Sequence, residues 1–563
     1  MKYFLKSRAY ELSLTIGITL LCFLFYTPLH DDYGSFLLSM ASCQFSTFSF
    51  MNLHYLGMIG IHYLYEFFYN HFPIINWMGI AFMIFQVLGL YLFLRSVRNI
   101  ALKRITNIYL VWIIQFLLAL FFIENLVCLS HTRFSLLYCG IGLFNLLFTE
   151  KIRKRDIFLN SLLFIIGMLH RPESSLGMIL LVSTGFLIAR FDIQHLAKRI
   201  FIPVAATVIL FTVITSNWQH TKIFMEKIEP EIEYKMMDKQ MVDFSTMKTA
   251  EDSIKYELAP WGMWFDPYVM TPEFLRSILS PGMDLTFKHA SKVFFHVISL
   301  YRYYLFAPYS IVVIIIYSFF QIAYRRRSFK ILLFQTATFA IIYALDYNGI
   351  LVTGRHFLSL QLISLLLILF YFFNEDTNFR STNFSKVISI LALLLIVGTD
   401  IYTVLEYKKS NWKQANETAC YESAMQNIEN TYHHRIIVTT MCSVYLLNHT
   451  FSIYNKNYTN NTYIMYDMFT YSLIPEYVEY LKKISGCNSL NPVKFYTWLS
   501  KQKALYLANP TRFDLTEKYM RIVHHFPLTF VNQSDLKRPD CIANTNLSDF
   551  QLCAVVANYS VEN

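Results

Sequence analysis

Asp31 and Asp32 stand side by side where the first strongly apolar run, Leu12 to Leu29, gives way to His30-Asp31-Asp32-Tyr33-Gly34-Ser35. Burying either carboxylate in hydrocarbon would cost roughly 2.5–3.5 kcal/mol on membrane-insertion scales. Both therefore belong in water or in a protein-lined cavity at a membrane edge. Adjacent carboxylates also repel, which forces one towards its protonated form unless a cation or an arginine sits between them. The pair is suited either to hold a divalent metal such as Mg or Mn or to close on an arginine.

Ionisable groups recur in the short polar breaks between later apolar runs. Glu124, His131 and Arg133 fall in one break, 123–133, and His170-Arg171-Pro172-Glu173 in the next. A third begins at Asp346 and ends in Gly354-Arg355-His356. Taken singly, such residues cap helix ends or snorkel to an interface. Grouped on one side with two aspartates they point to a shared site, because ionisable groups near lipid are functional by default. His54 lies with His62, Glu66 and His71 in the aromatic segment Ser46 to Phe72. His62 and Glu66 are four apart and share a helix face. That segment reads as an amphipathic helix lying at the outer interface.

The elements that must carry these residues are membrane-spanning helices. The 563 residues are 55% hydrophobic and 15% charged, whereas a soluble domain is about 25% charged. Repeated apolar runs of about 20 residues make the chain a polytopic α-helical membrane protein. We read eleven spans, at about 10–29, 74–95, 105–122, 134–149, 157–170, 175–190, 200–217, 293–322, 329–346, 355–373 and 385–405. Arg95, Arg98, Lys103 and Arg104, then Lys151 to Arg155, then Arg190, Lys198 and Arg199, then Arg325 to Lys330 all fall on one side with the N-terminus. The positive-inside rule makes that side the cytoplasm. The net charge of +10 belongs to these loops, and no nucleic-acid partner is expected. No small-x-small site follows the basic Met1–Arg8 segment and the first apolar run, so the first span stays uncleaved.

The division this gives is a transmembrane catalytic domain over 1–405 and an extracytoplasmic C-terminal α/β domain over 406–563. The first contains the outer loop 30–72 with its interfacial helices and a long outer loop at 218–292. A loop of the latter length, carrying Pro260-Trp261-Gly262-Met263-Trp264, is expected to be a lid or a substrate-binding element. In the tail, Arg435–Thr440, Thr462–Tyr466, Ala504–Ala508 and Leu552–Ala557 read as strands with helical patterns between them. Cys420, Cys442, Cys487, Cys541 and Cys553 lie there too, in a compartment that permits disulfides. So do seven Asn-x-Ser/Thr triplets, among them those at Asn460 and Asn532.

This layout resembles the integral-membrane GT-C glycosyltransferase superfamily, which includes protein mannosyltransferases, aminoarabinose transferases and bacterial O-antigen or cell-wall sugar transferases. Two local matches carry the resemblance. Asp31-Asp32 stands at the acidic motif of the first outer loop. Gly354-Arg355-His356-Phe357-Leu358 opens a late span and is similar to the Arg-Tyr-x-Leu-Pro pattern, with His for Tyr and Ser359 near the place of Pro. The resemblance implies transfer of a sugar from a polyprenyl-phosphate donor to a glycan, lipid or protein acceptor on the outer face. It implies that Asp31 or Asp32 takes the acceptor's proton, or that the pair binds a divalent metal. The leaving phosphate calls for arginine forks, from Arg355, Arg171 and Arg133 in that order. His54, Glu124, His131, His170 and Glu173 are the second candidates, for sugar hydroxyls or a metal, and His356 joins them for the substrate. Direct displacement would invert the anomeric centre. An O-antigen polymerase or ligase is the first rival reading, but has no need of paired aspartates after span 1. A lipid or sugar transporter (flippase) is the second, and would place its charges mid-span and repeat internally.

Overall fold

The computed structural model describes residues 9–30, 62–102, 108–149, 153–216, 290–299, 328–347, 354–374, 383–439, 453–454, 460–465, 475–533 and 551–557, save single residues at 73, 191, 292, 490 and 509. Asp31, Asp32 and His54 lie outside these residues, as does the long loop from 218 to 289. The side chains of Glu173 and Arg355 are likewise not described, although their backbones are.

The first span is helix α1 (Ala9–Phe25), which leads through a short extended stretch into a two-residue strand, β1 (Leu29–His30). Helix α2 (His62–His71) lies in the aromatic segment where a helix is expected, and buries Tyr65 and Tyr69 while Leu64 and Phe67 stay exposed. Helix α3 (Trp77–Ala101) is capped by Asn76, whose Oδ1 accepts from the Gly79 amide at 2.9 Å. Helices α4 (Ile108–Leu120) and α5 (Ile123–Val127) follow, then strand β2 (Cys128–Leu129). The break 123–133 is therefore not a loop. It is a turn of helix, a strand and the start of the next helix.

That next helix, α6 (His131–Phe148), is the centre of the bundle: every position except Asn145 is buried. Its sequence is apolar all round, which is what a helix enclosed by other helices requires. It packs antiparallel on α7 (Lys154–His170). Their backbones touch at two glycines. A Cβ on Gly167 would stand 2.6 Å from the Ser135 carbonyl oxygen and 2.9 Å from the Cys139 nitrogen, and one on Gly142 would stand 2.7 Å from the Asn160 carbonyl oxygen. Only a residue without a side chain permits that approach. The bundle continues with α8 (Pro172–Arg190), α9 (Ile193–Ser216), a short helix at 293–299, α10 (Ser328–Tyr347) and α11 (Gly354–Asn374). At the end opposite β1, Glu11 of α1 pairs with Arg98 of α3 at 2.7 Å in a nearly closed environment.

Among the described residues two helices are long and apolar enough to cross a membrane, α3 and the part of α9 from Ile193 to Leu210. Shorter apolar helices lie in α1, α4, α8 and α11. The eleven spans expected are thus not all seen as full-length crossings. Leu20, Leu24, Phe158, Phe201 and Ile209 nevertheless turn outward from the bundle. An apolar exterior on a helical bundle suits lipid rather than water.

Helix α12 (Asn383–Thr431) runs for 49 residues. It passes unbroken across the boundary at 405 that composition suggests. Beyond it the four apolar runs of the tail form strands β3 (Ile436–Thr439), β4 (Thr462–Met465), β5 (Leu505–Ala508) and β7 (Gln551–Ala557), joined by β6 (Leu528–Asn532). The sheet order is β4-β3-β5-β7-β6, with β3 parallel to both its neighbours and β7 antiparallel to both of its own. Helices α13 (Pro475–Ser485), α14 (Pro492–Lys501) and α15 (Pro510–His524) accompany it, and Tyr463, Tyr496, Tyr506 and Tyr519 fill its core. Glu429 near the end of α12 accepts from Tyr463 Oη at 2.6 Å, Asn461 Nδ2 at 3.0 Å and the Asn460 amide at 2.9 Å. Asn460 Nδ2 itself donates to the Glu429 carbonyl, so this triplet is tied into the fold. The sheet region also touches the bundle, where the Asn76 amide donates to the Ile453 carbonyl at 2.9 Å.

Candidate active site at one end of the bundle

Helices α6, α8 and α11 begin, and α7 ends, at the same end of the bundle. That topology gathers the polar breaks. Arg171, the one residue between α7 and α8, donates from Nη1 to Thr132 Oγ1 at 2.8 Å and to His131 Nε2 at 3.2 Å. A guanidinium can only donate, so His131 Nε2 accepts and its Nδ1 carries the hydrogen. Burial, then the charge of Arg171, then His170 and His356, hold the His131 imidazole well below its usual pKa and keep it neutral. Those same influences place His170 and His356 in its neighbourhood.

Arg133 is differently occupied. Its Nη1 reaches Glu124 Oε1 at 2.9 Å and Asn125 Oδ1 at 3.4 Å, with only 6% of the side chain exposed. Its backbone carbonyl accepts from Ser359 Oγ in α11 at 3.3 Å. Glu124 thus neutralises Arg133, which makes this arginine a structural anchor before it is a phosphate ligand. His170 is also spent on structure. Its Nδ1 donates to the Ile166 carbonyl at 2.8 Å, which leaves Nε2 to accept from Tyr65 Oη at 3.3 Å. Through Tyr65 it fixes α2 over the site. His356 is buried in the first turn of α11, one residue after Arg355.

The aspartates are approached through the backbone. β1 pairs in parallel with β2, Leu29 opposite Cys128 and His30 opposite Leu129. The residue before Asp31 therefore lies beside the residue two before His131. Helix α12 locks this strand approach. Asn411 Oδ1 accepts from the Thr27 amide at 2.9 Å and its Nδ2 donates to the Thr27 carbonyl at 2.7 Å. Tyr26 Oη donates to the Val404 carbonyl, and Tyr407 Oη meets Cys128 Sγ.

Four polar atoms around this junction are buried with no hydrogen-bond partner among the described residues: Gln86 Oε1, Asn125 Nδ2, Ser130 Oγ and His131 Nδ1. Leaving such an atom unsatisfied costs about 1–3 kcal/mol. Two donors, a carbonyl and a hydroxyl held this way are the groups that would meet the hydroxyls of a sugar. Among the described residues no three His, Cys, Asp or Glu side chains converge as a metal site.

Sequence reasoning did not find Gln86, Asn125, Ser130, Thr132 or Tyr65. They are single polar residues in apolar or aromatic surroundings, and their types name no chemistry. It also missed the pairing of Asp346 with His296, whose Nδ1 lies 2.7 Å from Asp346 Oδ2. A histidine inside the apolar run 293–322 was the available signal.

No family profile matches the chain, and no curated protein matches it. Among solved structures the chain is similar to the crystal structure of ArnT from Cupriavidus metallidurans in the apo state, at 10% identity and a TM-score of 0.45, over 97% of each chain. A likeness of that size bears on neither the residues nor the chemistry, which rest on the chain's own geometry.

Proposed function

We propose that this chain is a membrane glycosyltransferase of the GT-C kind that moves a sugar from a polyprenyl-phosphate donor to a glycan, lipid or protein acceptor. The observation that carries the reading is the β1–β2 pairing, which delivers the chain leading to Asp31 and Asp32 beside the start of α6. There Arg171, Thr132 and His131 already form one hydrogen-bonded group. Arg171 is the residue we assign to the donor phosphate, with Arg355, the second residue of α11, as the other candidate. The neutral His131, the buried amides of Gln86 and Asn125 and the Ser130 hydroxyl are assigned to the sugar. The acceptor attacks the anomeric carbon directly, the phosphate leaves and the anomeric centre inverts. Asp31 and Asp32 are assigned to the reaction itself, as base or as holders of a divalent cation.

The test is sugar transfer by the purified protein in lipid discs, offered a panel of polyprenyl-phosphate sugars. Asp31→Asn or Asp32→Asn is expected to slow turnover by about 10²–10⁴-fold, the usual worth of a positioned acid–base group. Arg171→Ala is expected to weaken donor binding, with Arg171→Lys intermediate because lysine keeps the charge and loses the fork. Unchanged turnover in both aspartate variants would sink the proposal.

A further inference from the structure

The two members of the His296–Asp346 pair are unlike in their access to solvent. Asp346 has no exposed side-chain surface, while 37% of the His296 side chain is exposed. The carboxylate accepts Nδ1–H at 2.7 Å, which leaves the lone pair on Nε2. A buried acid that fixes the tautomer and a partly exposed ring whose other nitrogen keeps its lone pair are the parts of a prepared general base.

Packing keeps the imidazole in place. Val293 and Val297, on the buried side of the same short helix, are closed off. Tyr343 Oη of α10 donates to the Ala290 carbonyl, and Phe294 packs edge-on against Phe339. The pair also sits at the right end of the bundle. Asp346 is the last residue but one of α10, and α11 begins eight residues later at Gly354, with Arg355 and His356 next. Leu345 lies over Gly177 of α8, where an added Cβ would meet its Cδ1 at 2.8 Å. Gly177 is six residues beyond Arg171, about 9 Å along a helix.

We propose that His296 is the general base that takes the acceptor's proton and that Asp346 is its positioning residue; this rests on the transferase reading above. Nε2 accepts the proton of the acceptor hydroxyl or amine as the acceptor atom bonds to the anomeric carbon. The bond from that carbon to the phosphate oxygen breaks, and its electron pair leaves with the phosphate. Asp346 stabilises the imidazolium, which returns the proton to water. With the base assigned to His296, the other role given above, that of holding a divalent cation, is the one left to Asp31 and Asp32.

The experiment uses the full chain in lipid discs with the donor panel, comparing wild type, His296→Ala, Asp346→Asn and Asp31→Asn. His296→Ala is expected to lose about 100-fold in turnover with the donor KM kept, and free imidazole is expected to restore part of the loss. Asp346→Asn should lower kcat with an unchanged KM, and imidazole should not rescue Asp31→Asn. Full turnover in His296→Ala, or a loss that imidazole leaves untouched in a variant melting near wild type, overturns the proposal. If His296→Ala does not fold, Asp346→Asn decides on the same kcat criterion. If wild type transfers no sugar, the transferase reading fails, and acylation by diethyl pyrocarbonate decides the pair. Labelling of His296 that slows several-fold in Asp346→Asn supports an oriented base, whereas equal or absent labelling refutes it.

Discussion

Glu124 holds Arg133 at 2.9 Å, where the arginine is almost closed off and the carboxylate is partly exposed. Removing one partner of such a pair leaves the other charge stranded. We expect Glu124→Gln to destabilise the protein by about 3 kcal/mol, since part of Glu124 remains wetted. Replacing both residues, Glu124→Leu with Arg133→Met, should recover most of the melting temperature; no recovery would mean that Glu124 acts on something other than Arg133. A second prediction at this scale concerns thiols. Burial, with a smaller push from Glu517, raises the Cys553 pKa to about 11. The reactive thiolate is then scarce at pH 8, about one part in a thousand. Iodoacetamide at that pH should label the half-buried, unbridged Cys487 and spare Cys553. Equal labelling would show that β7 opens away from its neighbours β5 and β6. Single residues were readable as odd polar positions at the ends of apolar runs, as Arg171, His131 and Arg133 are. What they do there was not readable. Arg133 and His170 are indistinguishable from ligands until Glu124, Ile166 and Tyr65 are seen to occupy them.

Elements place these residues by contact between backbones. α6 and α7 approach so closely at Gly142 and Gly167 that His131 and His170 share one end of the hairpin. Gly167→Ala would drive a methyl into the Ser135 carbonyl and the Cys139 amide, neither of which can rotate away. Overpacking of this kind costs about 1–3 kcal/mol. The expected result is a lower melting temperature together with weaker sugar-donor binding, because the α7 end carries Arg171. Gly398, with open space around it, is the control, and Gly398→Ala should change neither. A Gly167→Ala protein with native stability would mean that α6 and α7 pack farther apart than this. The helices themselves were legible from apolar runs, since burial and lipid ask for the same composition. Their ends were not. α5 and β2 fill what composition marks as a loop, and α12 continues for more than twenty residues past the point where the sequence turns polar, because an amphipathic or polar continuation costs a helix nothing in water. The strands of the tail were legible because each is a short apolar run bounded by turn residues. Their order, with β3 at the centre of the parallel part and β7 between β5 and β6, is a matter of tertiary pairing that no local pattern states.

At the scale of the whole molecule, α12 connects the two regions that the sequence keeps apart. A 49-residue helix is about 70 Å long at 1.5 Å per residue, so its first half can lie in the bundle while its end anchors the sheet through Glu429. Midway, Asn411 satisfies both backbone groups of Thr27, four residues before Asp31. The strand that leads to the aspartates is thus held from two sides, by β2 on one flank and by α12 behind. Truncating Asn411 to alanine leaves the Thr27 amide and carbonyl without these partners, at about 1–3 kcal/mol for each that stays dry, and frees the strand that leads to Asp31. We expect Asn411→Ala to keep the C-terminal sheet folded, with a protease-resistant tail and Cys553 still protected, while sugar transfer falls at least tenfold through kcat. Asn411→Asp should fall between, because an aspartate can still accept from the Thr27 amide but can no longer donate to its carbonyl. Wild-type transfer by Asn411→Ala would mean that β2 alone suffices to place the aspartates and that α12 serves the sheet only. A collapse of the tail together with activity would mean that the two regions fold as one, with α12 as their shared core.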